Sequence, residues 1–305
     1  MNKKIPFYLV TGFLGSGKTT FLNCFLKQHA PSKKIAIIQN EFAPLGIDGD
    51  VLRASGQPFY LAEMNHGSVF CVCQFSGFKD LLLKLSEEQK PDIILVETTG
   101  IADPIGIAQL LSEQSLHDIF FLAHVFTLID SSRFLAVLKS LSCVKHQILI
   151  ADTVLVNKSD LIPSDNIKET IRTEIKQINP FANLLFIKNG EVDTAQIVNS
   201  FFHTIPMVEK NHIQGELTRC GQGGYVSDVF KSTKPINHEK WINFLNQLSP
   251  DIYRIKGYAF FDDGHSYMIQ YIPGQIDTQM IDKSGQLTEL IAIGNDKPNF
   301  SLLDD

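Results

Sequence analysis

Gly12-Phe13-Leu14-Gly15-Ser16-Gly17-Lys18-Thr19 follows the apolar run Ile5 to Val10 and leads into Thr19 to Gln28, where Phe21, Leu22, Phe25 and Leu26 share one helical face. The string has the form G-x-x-x-x-G-K-[ST], with a strand before it and a helix after it. Its glycines let successive backbone N–H groups turn inward around a phosphate without a Cβ clash. Lys18 can reach the β- and γ-phosphate oxygens, and the Thr19 hydroxyl is suited to ligate Mg²⁺. The helix that begins here points its positive end at the same anion. The stretch therefore predicts a phosphate site made by Gly12, Gly15, Ser16, Gly17, Lys18, Thr19 and Thr20.

Two further segments extend that site. Ile93-Ile94-Leu95-Val96 reads as a buried strand ending in Glu97, followed by Thr98-Thr99-Gly100. An acid at that place can hold Mg²⁺ through water or orient an attacking water. Gly100 can bring its N–H near a γ-phosphate. Thr153-Val154-Leu155-Val156 leads into Asn157-Lys158-Ser159-Asp160. The Asp160 carboxylate can accept from both N1–H and the 2-amino group of guanine, a donor pair that adenine lacks. Asn157 would tie the loop and contact N7, and the Lys158 stem could lie over the base. These residues predict guanine as the base and GTP as the nucleotide. Lys18 and Glu97 are the expected catalytic residues for attack of water on the γ-phosphate. No arginine finger is identifiable, so turnover by the isolated chain is expected to be slow.

The same alternation runs through the first two-thirds of the chain. Lys34 to Gln39, Asp92 to Glu97, Ala123 to Ile129, Thr153 to Val156 and Leu184 to Ile187 read as strands. Phe78 to Ser86, Pro104 to Ser112, Arg133 to Leu141 and Asp165 to Ile178 read as helices between them. Strands this apolar fit a parallel sheet covered by helices on both faces, an α/β P-loop fold. Residues 206–222 are polar and glycine-containing and read as a linker. Beyond it, Tyr225 to Phe230, Tyr253 to Phe261, Tyr267 to Ile272 and Leu287 to Ile293 read as strands around one helix, Asn237 to Leu248. The expected organisation is a P-loop domain over 1–205 and a smaller α+β domain over 223–297. Trp241, Phe244, Leu245 and Leu248 have core spacing on that helix.

Composition bounds the function. The chain has 305 residues, 44% hydrophobic and 20% charged, with net charge −6 from 27 basic and 33 acidic residues. No basic excess drives contacts to nucleic acid. No apolar run reaches the roughly 18 residues of a membrane helix, and the start lacks the pattern of a signal peptide. Five cysteines in a chain of this size argue for a reduced, cytoplasmic setting rather than a disulfide framework.

Taken together, several segments resemble the CobW-type metallochaperone GTPases. They are Thr11 to Thr20; Gln39-Asn40-Glu41-Phe42 with Gly46-Ile47-Asp48-Gly49; Glu97 to Pro104; Gln147 and Ala151-Asp152; and Asn157 to Leu161. In the C-terminal part, Trp241, Ile252 to Gly257 and Glu289 to Gly294 look like that family's second domain. The resemblance covers nearly the whole chain. It implies a GTPase that handles a transition metal, zinc or cobalt, and passes it to a client protein. It puts Asp48 and Glu41 in the segment linking nucleotide state to that metal, and adds Asp48 to Thr19 and Glu97 as Mg²⁺ residues.

One motif departs from the family pattern. The family carries Cys-x-Cys-Cys, three thiolates suited to a soft tetrahedral ion. Here the stretch is Asn65-His66-Gly67-Ser68-Val69-Phe70-Cys71-Val72-Cys73-Gln74. Either Cys71, Cys73 and Gln74 take the three positions, or Ser68, Phe70 and Cys71 do and Cys73 is extra. Both leave only two thiols close together, Cys71 and Cys73, as the candidate transition-metal ligands, with His66 and Glu41 nearest by sequence or family position to join them. Cys24 reads as a core residue, and Phe59, Tyr60, Phe70 and Phe75 as packing around this loop. The incomplete motif keeps open a regulatory GTPase that assists a cofactor-dependent enzyme without binding a transition metal itself.

Overall fold

The computed structural model describes residues 4–40, 58–64, 75–98, 107, 110–111, 113–200, 217–218, 224–249, 251–272, 275–281, 287–294 and 296–303. The chain divides into two compact units, Met1–Asn199 and Ser200–Asp305.

In the first unit the chain runs β1 (Ile5–Gly12), α1 (Lys18–His29), β2 (Ile35–Asn40), β3 (Tyr60–Met64), α2 (Phe75–Lys84), β4 (Ile93–Glu97), α3 (Gln114–His117) and β5 (Phe120–Asp130). It continues with α4 (Phe134–Ser140), α5 (Ser142–Leu149), β6 (Thr153–Asn157), α6 (Asp165–Ile178), β7 (Asn183–Phe186) and α7 (Thr194–Ser200). Seven parallel strands form one sheet in the order β3-β2-β4-β1-β5-β6-β7. The residues of β4 and β6 are all buried, as expected for strands covered on both faces. One core joins Tyr8 and Val10 of β1 to Phe21, Leu22, Phe25 and Leu26 of α1 and Ile197 of α7. The other joins Val154 and Val156 of β6 to Phe134 and Leu138 of α4, Val144 and Ile148 of α5, and Ile171 and Ile175 of α6. Helices thus cover both faces. In the strand order β1 is followed by β2 on one side, and β4 by β5 on the other. β1 therefore sits between β4 and β5 at the reversal point, where α/β sheets bind ligands beyond their strand ends.

The second unit contains β8 (Leu217–Thr218), β9 (Gly224–Ser232), α8 (His238–Asn246), β10 (Ile252–Phe260), β11 (Ser266–Ile272), β12 (Gln275–Ile281) and β13 (Thr288–Gly294). They make an antiparallel sheet in the order β12-β11-β10-β13-β9-β8. Asn237 caps α8, its side-chain oxygen accepting from the N–H groups of Glu239 and Lys240. Trp241 and Phe244 are buried with Ile255, Ile269 and Leu290. β10 and β13, the two strands that carry the family-like C-terminal segments, are paired neighbours in mid-sheet, with Gly257 opposite Leu290. A Cβ on Gly257 would lie 2.0 Å from the Glu289 carbonyl oxygen, which is why glycine stands there.

Several elements differ from expectation. β3, α5, α7 and β12 carry no clear sequence signal, and Leu217–Thr218 pair with Gly224 and Tyr225 inside the stretch read as a linker. Tyr60 lies on edge strand β3 and is exposed rather than packed. Cys24 is half-buried, its thiol donating to the Val192 carbonyl at 3.5 Å. The helix expected over 104–112 lies outside the described residues except at 107, 110 and 111. No helix among the described residues is long and apolar enough to cross a membrane.

Candidate functional site

The phosphate loop leaves β1 at Gly12. Gly12, Gly15 and Gly17 have φ of 141°, 76° and 99°, a region that side chains disfavour. Gly17 is constrained twice, since a Cβ there would also fall 2.3 Å from Asn157 Nδ2. Gly17 is the N-cap residue of α1, so the positive end of the helix lies at the loop. Lys18 is buried, and its Nζ donates to the Gly12 carbonyl oxygen at 3.0 Å across the loop. The Ser16 hydroxyl is buried with no hydrogen-bond partner among the described residues.

Glu97 ends β4 beside this loop, in register with Val10 of β1 and Gln39 of β2. Its carboxylate accepts from Gln39 Nε2 at 2.8 Å, and both side chains are buried. The next residue, Thr98, donates its N–H to Val10 O at 3.0 Å. The Thr11 and Thr98 hydroxyls and Gln39 Oε1 are also buried without hydrogen-bond partners among the described residues. Buried polar atoms that lack partners are rare in proteins. Gathered at the ends of β1, β2 and β4, they mark where a polar ligand fits.

The base side is tied to the phosphate side by one residue. Asn157, buried at the end of β6, donates Nδ2–H to the Ser16 carbonyl at 2.9 Å and accepts the Gly190 N–H on Oδ1 at 3.0 Å. Lys158 follows at φ 56°, and its Nζ pairs with Asp130 Oδ2 at 2.6 Å. The Ser131 hydroxyl donates to the Lys158 carbonyl at 2.6 Å. Burial pushes the Asp130 carboxyl up, but hydrogen bonds from Lys158 and Ser132 outweigh it and hold it below the ordinary carboxylate range. Asp160 is exposed, with Lys188 Nζ 3.9 Å away.

The structure thus joins Gly12, Gly15, Ser16, Gly17, Lys18 and Thr19 in one loop and helix start that meets Asn157 at Ser16 and Gly17, sets Glu97 on the neighbouring strand, and places Lys158 and Asp160 just beyond β6. Thr20, also in the first turn of α1, is exposed. Asp48, Gly100, Cys71 and Cys73 lie outside the described residues, as do Glu41 and His66. Among the described residues no group of three His, Cys, Asp or Glu side chains is arranged to hold a metal ion. Sequence reading met Gln39 only within a family-like segment and gave it no role, and it missed Asp130 and Gly190. Gly190, at φ 66°, packs against α1, where a Cβ would lie 2.9 Å from Phe21 N. The Asn189-Gly190 turn signal after β7 was the available clue.

The family model described as CobW/HypB/UreG, nucleotide-binding domain, matches residues 6–186. The chain belongs to the CobW/HypB/UreG family. Its C-terminal part, residues 225–303, matches the model described as the cobalamin synthesis protein cobW C-terminal domain. Among curated relatives, this CobW-family chain is 27% identical over 306 residues to a zinc-regulated GTPase metalloprotein activator 1 of Dictyostelium discoideum, covering 85% of this chain and 63% of that protein. It is 30% identical over 219 residues to a zinc chaperone CobW of a Sinorhizobium species, covering 63% and 61%. It is 30% identical over 262 residues to the zinc chaperone YeiR of Escherichia coli, covering 84% and 74%. The chain thus spans about three-fifths of the length of the first two. A solved structure, the Zn(II)-bound YjiA GTPase from E. coli, shares the fold with a TM-score of 0.65 at 21% identity, covering 99% of this chain and 98% of that one.

Proposed function

We propose that this CobW-family chain binds and hydrolyses GTP and couples its nucleotide state to delivery of a transition metal, zinc or cobalt, to a client protein. The observation that carries the nucleotide half is the Asn157 bridge, which joins the phosphate loop at Ser16 to the Asn157–Asp160 base loop and to Gly190. In this reading Gly12 to Thr20 take the phosphates, Asn157, Lys158 and Asp160 read guanine, and Gly100 adds an N–H near the γ-phosphate. Thr19, Glu97 and Asp48 would hold Mg²⁺, which supplies charge neutralisation when bound; the buried hydroxyls and Gln39 Oε1 beside Glu97 fit such a ligand. Glu97 orients the attacking water. The water's oxygen bonds to the γ-phosphorus as the bond to the β–γ bridging oxygen breaks, and GDP and inorganic phosphate, which takes up the water's protons, leave. Lys18 and the loop amides neutralise the charge on the transferring group.

The metal half is supported by the zinc chaperones among the relatives and by Cys71 and Cys73, the pair of thiols in Cys71-Val72-Cys73. Thiols kept reduced suit a cytoplasmic protein, and the reading keeps domains over 1–205 and 223–297, with Leu217–Thr218 of the stretch 206–222 belonging to the second sheet. Cobalt absorption tests it: Co²⁺ added to the reduced protein should give thiolate-to-cobalt bands that change on GTP loading and vanish in Cys71→Ser. Absence of those bands in every nucleotide state would favour the second reading, a regulatory GTPase for a cofactor-dependent enzyme. The missing third cysteine is the observation behind that reading.

A further inference from the structure

Gln39 makes an asymmetric set of contacts. It is buried at the end of β2, directly in register with Glu97. An ionised carboxylate only accepts hydrogen bonds, so the amide must present Nε2–H to Glu97, as it does at 2.8 Å. That fixes the orientation of the other amide atom. Oε1 is turned away from Glu97 and is buried without a hydrogen-bond partner among the described residues. A neutral acceptor left so beside an acid is costly unless a donor arrives with the ligand. The Thr11, Ser16 and Thr98 hydroxyls are in the same condition at the ends of β1 and β4 and in the phosphate loop. β2 therefore contributes a side chain to the phosphate site that the phosphate loop and β4 alone do not explain.

We propose that Gln39 is a positioning residue for phosphoryl transfer. Its Nε2–H holds the Glu97 carboxylate in one orientation, and its Oε1 accepts a hydrogen bond from a water in the hydration shell of the nucleotide's Mg²⁺. Mg²⁺ keeps several of its waters in such sites, and the partners of those waters matter almost as much as direct ligands. The inference rests on the reading of this chain as a GTPase and adds to it a residue outside the glycine loop.

The test uses the full chain, Gln39→Met and Glu97→Gln, singly and together, with melting temperature as a folding control. Mn²⁺ replaces Mg²⁺ so that electron paramagnetic resonance reads metal affinity in the GDP complex without turnover. Gln39→Met should weaken Mn²⁺ binding and lower kcat by ~10–100-fold, the range for lost outer-shell partners. KM for GTP should stay within ~3-fold, because the phosphate loop is untouched. In the Glu97→Gln background the same substitution should change kcat by less than ~3-fold, since two residues acting as one unit are not additive. If Gln39→Met does not fold, Gln39→Leu is measured in the same way. A folded Gln39 variant with wild-type Mn²⁺ affinity, or with an undiminished effect in the Glu97→Gln background, overturns the proposal. Failure of the wild type to bind GTP overturns instead the GTPase reading on which it rests.

Discussion

The phosphate side and the base side of the site are held by different means. The phosphate loop owes its shape to backbone conformation, with three glycines at positive φ and Gly17 fitted under Asn157. The base side owes its shape to side-chain hydrogen bonds: Asn157 to Ser16 and Gly190, Asp130 to Lys158, and Ser131 to the Lys158 carbonyl. The first kind of construction is written in a contiguous string. The second is assembled from β5, β6 and the turn after β7. Damage to the two should therefore differ in size and in kind.

The largest effect is expected at Gly17. An alanine there meets both a disfavoured φ and the Asn157 amide, and roughly 3 kcal/mol of strain or displacement would weaken GTP binding about 100-fold. Gly15→Ala sharpens the point. Gly15 also has positive φ, but nothing stands within 4 Å of its Cβ position. Its cost should be backbone strain alone, about 1–2 kcal/mol. Calorimetric titration with GTP separates the two, and equal losses would contradict a role for the contact with Asn157.

Asn157→Ala comes next. It leaves the Gly190 N–H and the Ser16 carbonyl without their partner, at about 1–3 kcal/mol of stability. Urea unfolding should show that loss, and GTP affinity should fall with it. A stability loss with unchanged GTP affinity would mean that the bridge braces the fold without shaping the site.

The smallest effect is expected at Asp130. Its folded-state carboxyl lies below its ordinary range, so its ion pair contributes fully above that range and is lost as pH falls through the folded value. Asp130→Asn should flatten the fall in melting temperature below about pH 4. At neutral pH it should weaken GTP binding by no more than ~3-fold, because a partly exposed pair contributes ~1 kcal/mol or less. An acid limb identical to wild type would remove the pair from the account.

The same contrast governs what could be read from sequence. The parallel sheet and the glycine loop were legible because buried strands and positive-φ glycines leave local marks in the chain. Trp241 and Phe244 were legible as core because their spacing matches one helical face. Edge strands were not. Tyr60–Met64 and Gln275–Ile281 keep exposed Tyr60, Ile276 and Met280, so neither shows an uninterrupted apolar run. Helix Ser142–Leu149 carries Lys145, His146 and Gln147 among its apolar residues, which blurs its period. The roles of Gln39, Asp130 and Gly190 were illegible for another reason. Each acts through a residue 28 to 58 positions away, or, for Gly190, through close packing on α1 as well. No local pattern encodes such a distance.

The central claim is that the two sides together read guanine. The most direct measurement is competitive titration of the wild-type chain and Asp160→Ala with GTP and ATP in the presence of Mg²⁺. The account predicts a wild type that prefers GTP by at least ~100-fold, and a variant in which that preference falls by ~10-fold or more because the paired acceptor for N1–H and the 2-amino group is gone. Equal affinity of the wild type for the two nucleotides, or a preference unchanged in Asp160→Ala, would contradict it.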